Sequence, residues 1–212
     1  MLYTRAMTVF LVHGIWDDER SLAPLARALR TPGGPRIVSV RLTPNTGSAS
    51  LLDLAEQVKD QVERACPFSE RVDIVGFSMG ALVTRAYLQL LDGGRRVRRF
   101  VSISGPHRGT VAAYGLGLAG VRDMRPNSAL LRTLGDDVSG LVDTAVHCIY
   151  SPYDLLVTPP TTAVLRGATS VHRVHVPVHG LMLRAQSVQR LVRRLVEFAH
   201  VADDLRSGPA VP

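Results

Sequence analysis

The sequence predicts an α/β fold, in which a doubly wound, mainly parallel sheet of six strands carries helices on both faces. Two observations support this prediction. Short runs rich in β-branched residues alternate along the chain with segments of helical periodicity. The runs also show little polar alternation, which is typical of strands that are covered on both faces, as in a parallel sheet.

The six predicted strands are the short apolar runs, taken in chain order. Val72, Ile74 and Val75 illustrate the pattern, because almost no polar residue interrupts them. The predicted strands cover residues 8–12, 36–42, 71–75, 97–104, 145–150 and 171–176. Right-handed crossovers between them distribute the helices over both faces of the sheet.

Apolar residues at spacings of three and four predict the helices between these strands. Such stripes run through residues 22–29, 51–62, 81–91 and 188–199. Ser50 is in the position of an N-cap for the second helix. The alternation is interrupted between residues 105 and 143, where glycines and prolines surround a helix-like stretch at 127–134. This segment is expected to form a small cap or a wall of the binding pocket.

A chain of 212 residues with 46% hydrophobic and 20% charged residues is expected to form one domain over residues 1–212, with its core at about 8–200. Its apolar runs are far shorter than the roughly 18 to 20 residues that span a bilayer. Because no secretory signal is visible, a cytoplasmic location is expected. Two cysteines allow at most one disulfide bond, and packed, reduced thiols are the expectation.

The net charge of +7 raises the question of a polyanionic partner. The one dense basic run outside the predicted helices is Arg95, Arg96, Arg98 and Arg99. A nucleic-acid-binding protein would need a basic stripe together with aromatic residues or a helix that contact the bases, and the run lacks these. We therefore expect a solvated loop there and no nucleic-acid partner.

The sharpest chemical signal is the G-x-S-x-G pattern of residues 76–80, which follows an apolar strand and precedes a helical stripe. In this context Ser78 is expected on a strained turn, where the flanking glycines let neighbouring segments approach. The alternative is a structural, glycine-flanked turn. A serine needs a histidine to accept its proton and a carboxylate to orient that histidine.

In this architecture reactive residues follow the carboxyl ends of strands, and the acid and then the histidine come after the serine along the chain. His179 is the one histidine of seven that satisfies both conditions, and we expect it to open the last helix. Asp154 follows the fifth strand and precedes His179, although an Asx turn would also explain it. An oxyanion hole would use the backbone N–H groups of Met79 and Ile15, with His13 bracing the loop.

These segments resemble the α/β-hydrolase superfamily, in particular its small bacterial lipases and esterases. The resemblance rests on FLVHG at the first strand, DIVGFSMG, SISGPHRGT, SPYDLLVTP and VPVHG. It implies that Ser78, Asp154 and His179 are nucleophile, acid and base, and that Ile15 and Met79 form the oxyanion hole. Residues 106–110 resemble a stretch that lies near the pocket of triacylglycerol lipases.

We therefore expect a serine hydrolase that cleaves small-molecule or lipid esters and uses no cofactor and no metal ion. A thioesterase or acyltransferase on the same triad, or a ligand-binding protein that retains the fold, are the alternatives. The short interruption at 105–143 predicts an open site with little or no lid. Three acidic residues, Asp17, Asp18 and Glu19, either border the pocket or face solvent at the start of the first helix.

Overall fold

The apolar runs of the sequence form one sheet in the computed structural model, which describes residues 7–135, 138 and 141–197. The strands are β1 (Thr8–Val12), β2 (Arg36–Val40), β3 (Val72–Phe77), β4 (Val97–Ile103), β5 (Ala145–Tyr150) and β6 (Ser170–Arg173). Their order is β2-β1-β3-β4-β5-β6, and every neighbouring pair is parallel. The predicted fold class is confirmed.

The chain reverses its direction of travel across the sheet between β1 and β3. From β1 it moves outward to β2, and it then returns to the other side of β1 with β3. At such a switch point the loops leave the strand ends in opposite directions and open a crevice at the carboxyl edge, where ligands of α/β sheets bind. The turn that contains Ser78 follows β3 and therefore lies at this crevice.

Helices cover both faces of the sheet. They are α1 (Ala23–Leu29), α2 (Leu51–Ala65), α3 (Met79–Leu90), α4 (Ala119–Asp123), α5 (Ala129–Leu134) and α6 (Gln186–Glu197). One apolar core packs α1 and α6 against one face, and a second core packs α2 and α3 against the other. Ser50 caps α2 as predicted, because its side chain accepts a hydrogen bond from the N–H of Asp53. None of the helices in the described ranges is long and apolar enough to cross a membrane.

The predicted fourth strand ends one residue too late, and the predicted second and sixth strands end two and three residues too late. For the second and sixth strands the sheet itself explains why. Strand β2 ends at Val40, opposite the last residue of β1, and β6 ends at Arg173, opposite the last residue of β5. Both are edge strands, so neither has a second neighbour that could extend the ladder. His175 consequently lies beyond the strand. The end of the predicted helical stripe, residues 198 and 199, lies outside the described residues.

The prediction of a solvated loop at the arginine run is wrong. Arg96 and Arg99 are buried, with 4% and 3% exposure. Arg99 forms a 2.8 Å ion pair with the buried Asp73 of the neighbouring strand, and Arg96 donates to two carbonyl groups. The run begins β4, so its register against β3 aligns Arg99 with Asp73. Cys66 and Cys148 are buried, free thiols, as predicted.

The segment after β4 folds into short helical pieces that α3 anchors. A 3-10 turn (Val111–Gly115) and helices α4 and α5 follow one another, and α5 begins two residues later than predicted. The buried guanidinium group of Arg85 on α3 donates to the carbonyl groups of His107, Leu134 and Gly135. These hydrogen bonds tie both ends of the segment to the core.

Candidate active site

Ser78 stands on the tight turn between β3 and α3. Its backbone has φ 55° and ψ −125°, a conformation that residues other than glycine rarely adopt. Neighbouring segments approach closely: a Cβ atom on Gly80 would lie 2.3 Å from the carbonyl oxygen of His13, and one on Gly76 would lie 2.6 Å from the Cα of Ala81. The serine turn is therefore strained and tightly packed, as a nucleophile elbow requires.

Asp154 and His179 form a buried, hydrogen-bonded pair. The Nδ1 of His179 lies 2.7 Å from Oδ2 of Asp154, and the two side chains are 8% and 2% exposed. The other carboxylate oxygen, Oδ1, accepts hydrogen bonds from the N–H groups of Leu156 and Val157 at 3.0 and 3.1 Å. One oxygen of the carboxylate thus closes an Asx-type turn, while the other fixes the orientation of the imidazole.

The neighbours of Asp154 favour its ionised form. Burial would raise the pKa of the carboxyl group, but the hydrogen bond and charge of His179, the N–H of Val157 and the hydroxyl of Ser104 together lower the pKa below its ordinary value. Ser104 is itself buried and directly follows β4 with a φ of 49°. At neutral pH the ionised carboxylate can stabilise a positively charged imidazole.

Ser78 and His179 both follow strands that end at the carboxyl edge of the sheet. The ring of Phe77, which precedes the serine, packs against the imidazole with ring centroids 4.8 Å apart. Within the described ranges, no hydrogen bond joins the Ser78 hydroxyl to His179. Such contacts are often loose until substrate binds. Because Nδ1 is bonded to Asp154, Nε2 is the ring nitrogen that remains for the serine proton.

The backbone N–H groups of Ile15 and Met79 come from the two segments that flank the serine. Met79 is the first residue of α3, where N–H groups have no partner inside the helix. Ile15 follows Gly14, and a Cβ atom on Gly14 would lie 3.1 Å from the Cβ of Ser78. Neither N–H donates to a backbone carbonyl in the described part of the chain. Both can therefore donate to an anionic oxygen at this turn.

His13 braces the loop that carries Ile15. Its Nε2 accepts a hydrogen bond from the N–H of Leu42 at 3.1 Å, and its Nδ1 lies 2.9 Å from the carbonyl oxygen of Gly14. Since Nε2 accepts, Nδ1 carries the proton and donates to that oxygen. The ring is 1% exposed, and both of its nitrogens are occupied. The predicted bracing role of His13 is confirmed.

His107, in the stretch that resembles triacylglycerol lipases, is a structural residue. Its Nε2 lies 2.7 Å from the hydroxyl oxygen of Ser102, and the side chain is fully buried. Burial, together with the charge of Arg85, lowers the pKa of His107 well below its ordinary value. His107 thus fixes this stretch to the core, and its buried imidazole does not exchange protons with solvent.

His147 and His172 contact one serine on β6, at the amino edge of the sheet. The hydroxyl oxygen of Ser170 lies 2.7 Å from Nδ1 of His147 and 2.7 Å from Nε2 of His172. Burial, with smaller contributions from Arg99 and His172, lowers the pKa of His147 to about 4. No group of three or more metal-ligating side chains occurs in the part of the chain that the structure describes.

The three acidic residues after Ile15 have different surroundings: Asp18 faces solvent, whereas Asp17 lies near the serine turn. Asp18 is exposed, and its Oδ1 accepts a hydrogen bond from the N–H of Arg20 at 2.8 Å. Oε1 of Glu19 lies 3.9 Å from Nε of Arg41. Asp17, by contrast, is half-buried and borders the loop beside Ser78. Both sequence-level interpretations therefore apply, but to different residues.

Exposed apolar side chains surround the carboxyl edge of the sheet. They belong to the loops that follow β1, β4, β5 and β6: Trp16, Val111, Tyr114, Leu116, Leu118, Tyr153, Leu155, Leu156, Val178 and Leu181. Half of them, Tyr153, Leu155, Leu156, Val178 and Leu181, belong to the loops after β5 and β6, on one side of Ser78. This side of the site therefore offers apolar surface on which an acyl chain could pack.

Sequence reasoning missed Ser104 and Phe77, and it did not tell which of the three acidic residues after Ile15 borders the serine turn. Ser104 follows a strand at the same edge as the other site residues, and that position was a usable signal. The contact between Phe77 and His179 and the approach of Asp17 depend on how separate loops meet, which no spacing in the sequence encodes. His179 opens a 3-10 turn (His179–Leu181), whereas the last helix begins at Gln186; the expectation that it opens that helix is wrong.

Comparison with known proteins adds a family and a set of structural neighbours. The family model described as palmitoyl protein thioesterase matches residues 8–153. This match includes Ser78, Ile15 and Met79 and ends just before Asp154. The chain matches no curated protein.

The structural neighbours include lipases and a thioesterase. The mature form of a lipase from Bacillus licheniformis has a TM-score of 0.73 at 14% identity, covering 90% of this chain and 92% of that one. Lipase B of Aspergillus fumigatus has a TM-score of 0.71 at 18% identity, covering 98% and 57%. The RedJ thioesterase of Streptomyces coelicolor has a TM-score of 0.60 at 17% identity, covering 94% and 91%. Likeness at this identity concerns the fold, and it confirms the α/β-hydrolase architecture.

Proposed function

The chain belongs to the palmitoyl protein thioesterase family, and from that premise we propose that it cleaves carboxylic esters through Ser78, His179 and Asp154. The observation that carries the proposal is the buried 2.7 Å hydrogen bond between His179 and Asp154, at the sheet edge where Ser78 stands on strained backbone. A histidine that a carboxylate orients beside a serine lets the hydroxyl act as a nucleophile at neutral pH.

In the first half of the proposed reaction Ser78 Oγ attacks the carbonyl carbon of the ester while Nε2 of His179 accepts the hydroxyl proton. The C–O π electrons move to the carbonyl oxygen, and the N–H groups of Ile15 and Met79 bind the resulting oxyanion. Each such donor is worth about 2.7–4 kcal/mol of barrier. The intermediate then expels the alcohol, which takes the proton from His179 and leaves an acyl-serine.

In the second half a water molecule replaces the alcohol. His179 takes a proton from that water, the hydroxide oxygen attacks the acyl carbon, and the bond to Ser78 breaks as the proton returns to Oγ. Asp154 holds the imidazole in one tautomer throughout and stabilises its positive charge. The cycle uses side chains and backbone N–H groups alone, so it requires no cofactor or metal ion.

A thioesterase on the same residues is the second candidate, and the description of the matching family favours it. The acylation and deacylation steps are the same, except that a thiol leaves in place of the alcohol. Two butyryl substrates of similar size, butyrylcholine and butyrylthiocholine, separate the candidates. A larger kcat/KM for the oxygen ester supports the esterase, and a larger value for the thioester supports the thioesterase.

The decisive experiment compares Ser78→Ala with Ser48→Ala, which changes an exposed serine outside the site. We expect Ser78→Ala to abolish turnover of p-nitrophenyl butyrate with an unchanged circular dichroism spectrum, and Ser48→Ala to retain full activity. Asp154→Asn should lower kcat by about 10⁴-fold, because the imidazole is then held in the wrong tautomer. Full activity of Ser78→Ala would refute the proposal.

Covalent labelling separates an enzyme from a ligand-binding protein of the same fold. A fluorophosphonate reacts only with an activated serine, so it should modify the folded protein at Ser78 and leave Ser78→Ala unmodified. Folded protein that remains unlabelled would favour the binding protein. We further propose that residues 1–212 act as one domain, since the site combines the ends of β1, β3, β5 and β6.

A further inference from the structure

The two sides of the crevice around Ser78 differ in polarity. Ser78 follows β3, in the middle of the sheet. On the β5 and β6 side, the loops expose Tyr153, Leu155, Leu156, Val178 and Leu181. On the β1 and β2 side, a cavity of about 450 Å³ has a mainly polar lining, which includes Asp17, Asp18, Glu19, Arg20 and Arg41. A substrate bound across Ser78 would therefore meet an apolar surface on one side and a polar one on the other.

Asp17, on the polar side, comes close to the serine turn. The position of a Cβ atom on Gly14 lies 3.4 Å from Oδ2 of Asp17 and 3.1 Å from the Cβ of Ser78. The sum of these two distances is an upper limit, so Oδ2 of Asp17 lies at most 6.5 Å from the Cβ of Ser78. A group bound to the scissile ester next to Ser78 would thus lie within a few ångströms of this carboxylate.

The backbone around Asp17 is fixed, whereas its carboxylate has no partner in the protein. The side chain of Asn45 donates a hydrogen bond to the carbonyl oxygen of Asp17, and the carbonyl group of Asn45 accepts one from Trp16 at 2.8 Å. Within the described ranges, the carboxylate itself accepts no hydrogen bond and forms no ion pair. A half-buried carboxylate without a partner is costly and invites a ligand group that can pair with it.

The charges that face Asp17 leave this negative charge only partly balanced. Burial raises the pKa of Asp17, the nearby His13 and His179 lower it, and Asp18 raises it. Arg20, Arg41, Asp18 and Glu19 line the same cavity, and Arg41 lies 3.9 Å from Glu19. In its ionised form Asp17 also opposes the negative charge that develops on the ester oxygen during attack. A positive charge in the substrate would cancel this penalty.

We propose that Asp17 determines specificity by pairing with a cationic group in the alcohol part of the substrate, so that esters of amino alcohols are preferred over neutral esters of the same shape. The acyl chain then extends over the apolar side of the crevice. This inference rests on the proposed function, because it concerns the ester that Ser78 attacks. It names Asp17 as a specificity-determining residue and assigns it no step in the bond changes.

The test compares two esters that differ in charge and hardly in shape. Butyrylcholine carries a quaternary nitrogen where 3,3-dimethylbutyl butyrate has a carbon atom. We expect the wild-type protein to have the larger kcat/KM for butyrylcholine at pH 8. Asp17→Asn should lower the ratio of the two kcat/KM values about tenfold, the effect of one charge at about 6 Å with an effective dielectric constant of about 40. Asp18→Asn removes a charge one residue away and should change the ratio less than about twofold.

A second measurement does not depend on any variant. Raising the salt concentration from 0.05 to 0.5 M should lower kcat/KM for butyrylcholine and leave the neutral ester nearly unaffected, because salt screens the attraction. A ratio that Asp17→Asn leaves unchanged, or equal salt responses of the two esters, would overturn the role of Asp17 while the proposed function stands. If the wild-type protein cleaved neither ester and Ser78 resisted fluorophosphonate, both proposals would be overturned.

Discussion

Gly80→Ala is expected to inactivate the protein by separating α3 from the end of β1. The new Cβ atom would lie 2.3 Å from the carbonyl oxygen of His13 and 2.6 Å from that of Val12. Real Cβ atoms essentially never come closer than 3.0 Å to such atoms, so at least 0.7 Å must open. The atoms that must move are backbone, and β1 is held between β2 and β3. Movement of α3 is therefore the easier response.

The magnitude follows from two opposing effects on stability and one on catalysis. Alanine favours a helix over glycine by about 1 kcal/mol, whereas overpacking against backbone costs about 3 kcal/mol. The net loss in the free energy of unfolding is about 2 kcal/mol. A shift of α3 also moves the N–H of Met79 away from the oxyanion. Loss of one such donor lowers kcat about 10²- to 10³-fold.

Urea unfolding and hydrolysis of p-nitrophenyl butyrate measure the two effects separately. Gly117→Ala is the matched control, because a Cβ atom at Gly117 would meet nothing within 4 Å. The control should change the free energy of unfolding by less than about 0.5 kcal/mol and keep full activity. Wild-type stability and wild-type kcat in Gly80→Ala would show that the contact between α3 and β1 does not set the geometry of the oxyanion site.

Two further predictions concern buried charge and buried imidazole. Arg85→Met removes the side-chain donor to the carbonyl groups of His107 and Gly135, and one of the two donors to that of Leu134. It should lower the free energy of unfolding in urea by about 3 kcal/mol, against less than about 0.5 kcal/mol for the exposed Arg184→Met; a loss below 1 kcal/mol would contradict the anchoring role. The pKa of His147 is lowered to about 4, mainly by burial. As the pH falls, the imidazole therefore binds a proton in the unfolded chain before it does so in the folded chain. Its stabilising contribution is therefore complete above about pH 6.5 and is lost as the pH falls towards 4. Between pH 7 and 5 the wild-type protein should lose more stability in urea than His147→Gln, and parallel losses would refute the assignment.

The strands and the serine turn could be predicted because their signals are local. Apolar runs without polar alternation mark strands that are buried on both faces, and β1 and β5 begin and end at the predicted residues. The G-x-S-x-G pattern encodes its own turn, since Gly80 and Gly76 are needed wherever chain segments touch that closely. Order along the chain then suffices to select Asp154 and His179, because one edge of the sheet collects the ends of all parallel strands.

The arginine run could not be predicted from its own residues. Four arginines within five positions look solvated in isolation. What buries Arg99 is Asp73, and the two residues are brought opposite each other only by the register of β3 and β4. The sequence left open which of Asp17, Asp18 and Glu19 borders the pocket, and the folded loop brings Asp17 to it. Partners that are distant along the chain decide whether a charge is solvated, paired or left for a ligand.

Backbone strain is concentrated where the proposed chemistry takes place. Of the five non-glycine residues with positive φ in the described ranges, Trp16, Ser78 and Ser104 each follow a strand that ends at the crevice. Each such conformation costs about 1–3 kcal/mol and persists only when its surroundings enforce it. Here the two apolar cores on either face of the sheet supply that constraint. Strain of this kind fixes the proposed nucleophile and the residue that follows the proposed oxyanion donor Ile15 at one edge before substrate binds, so little reorganisation is left for the proposed reaction.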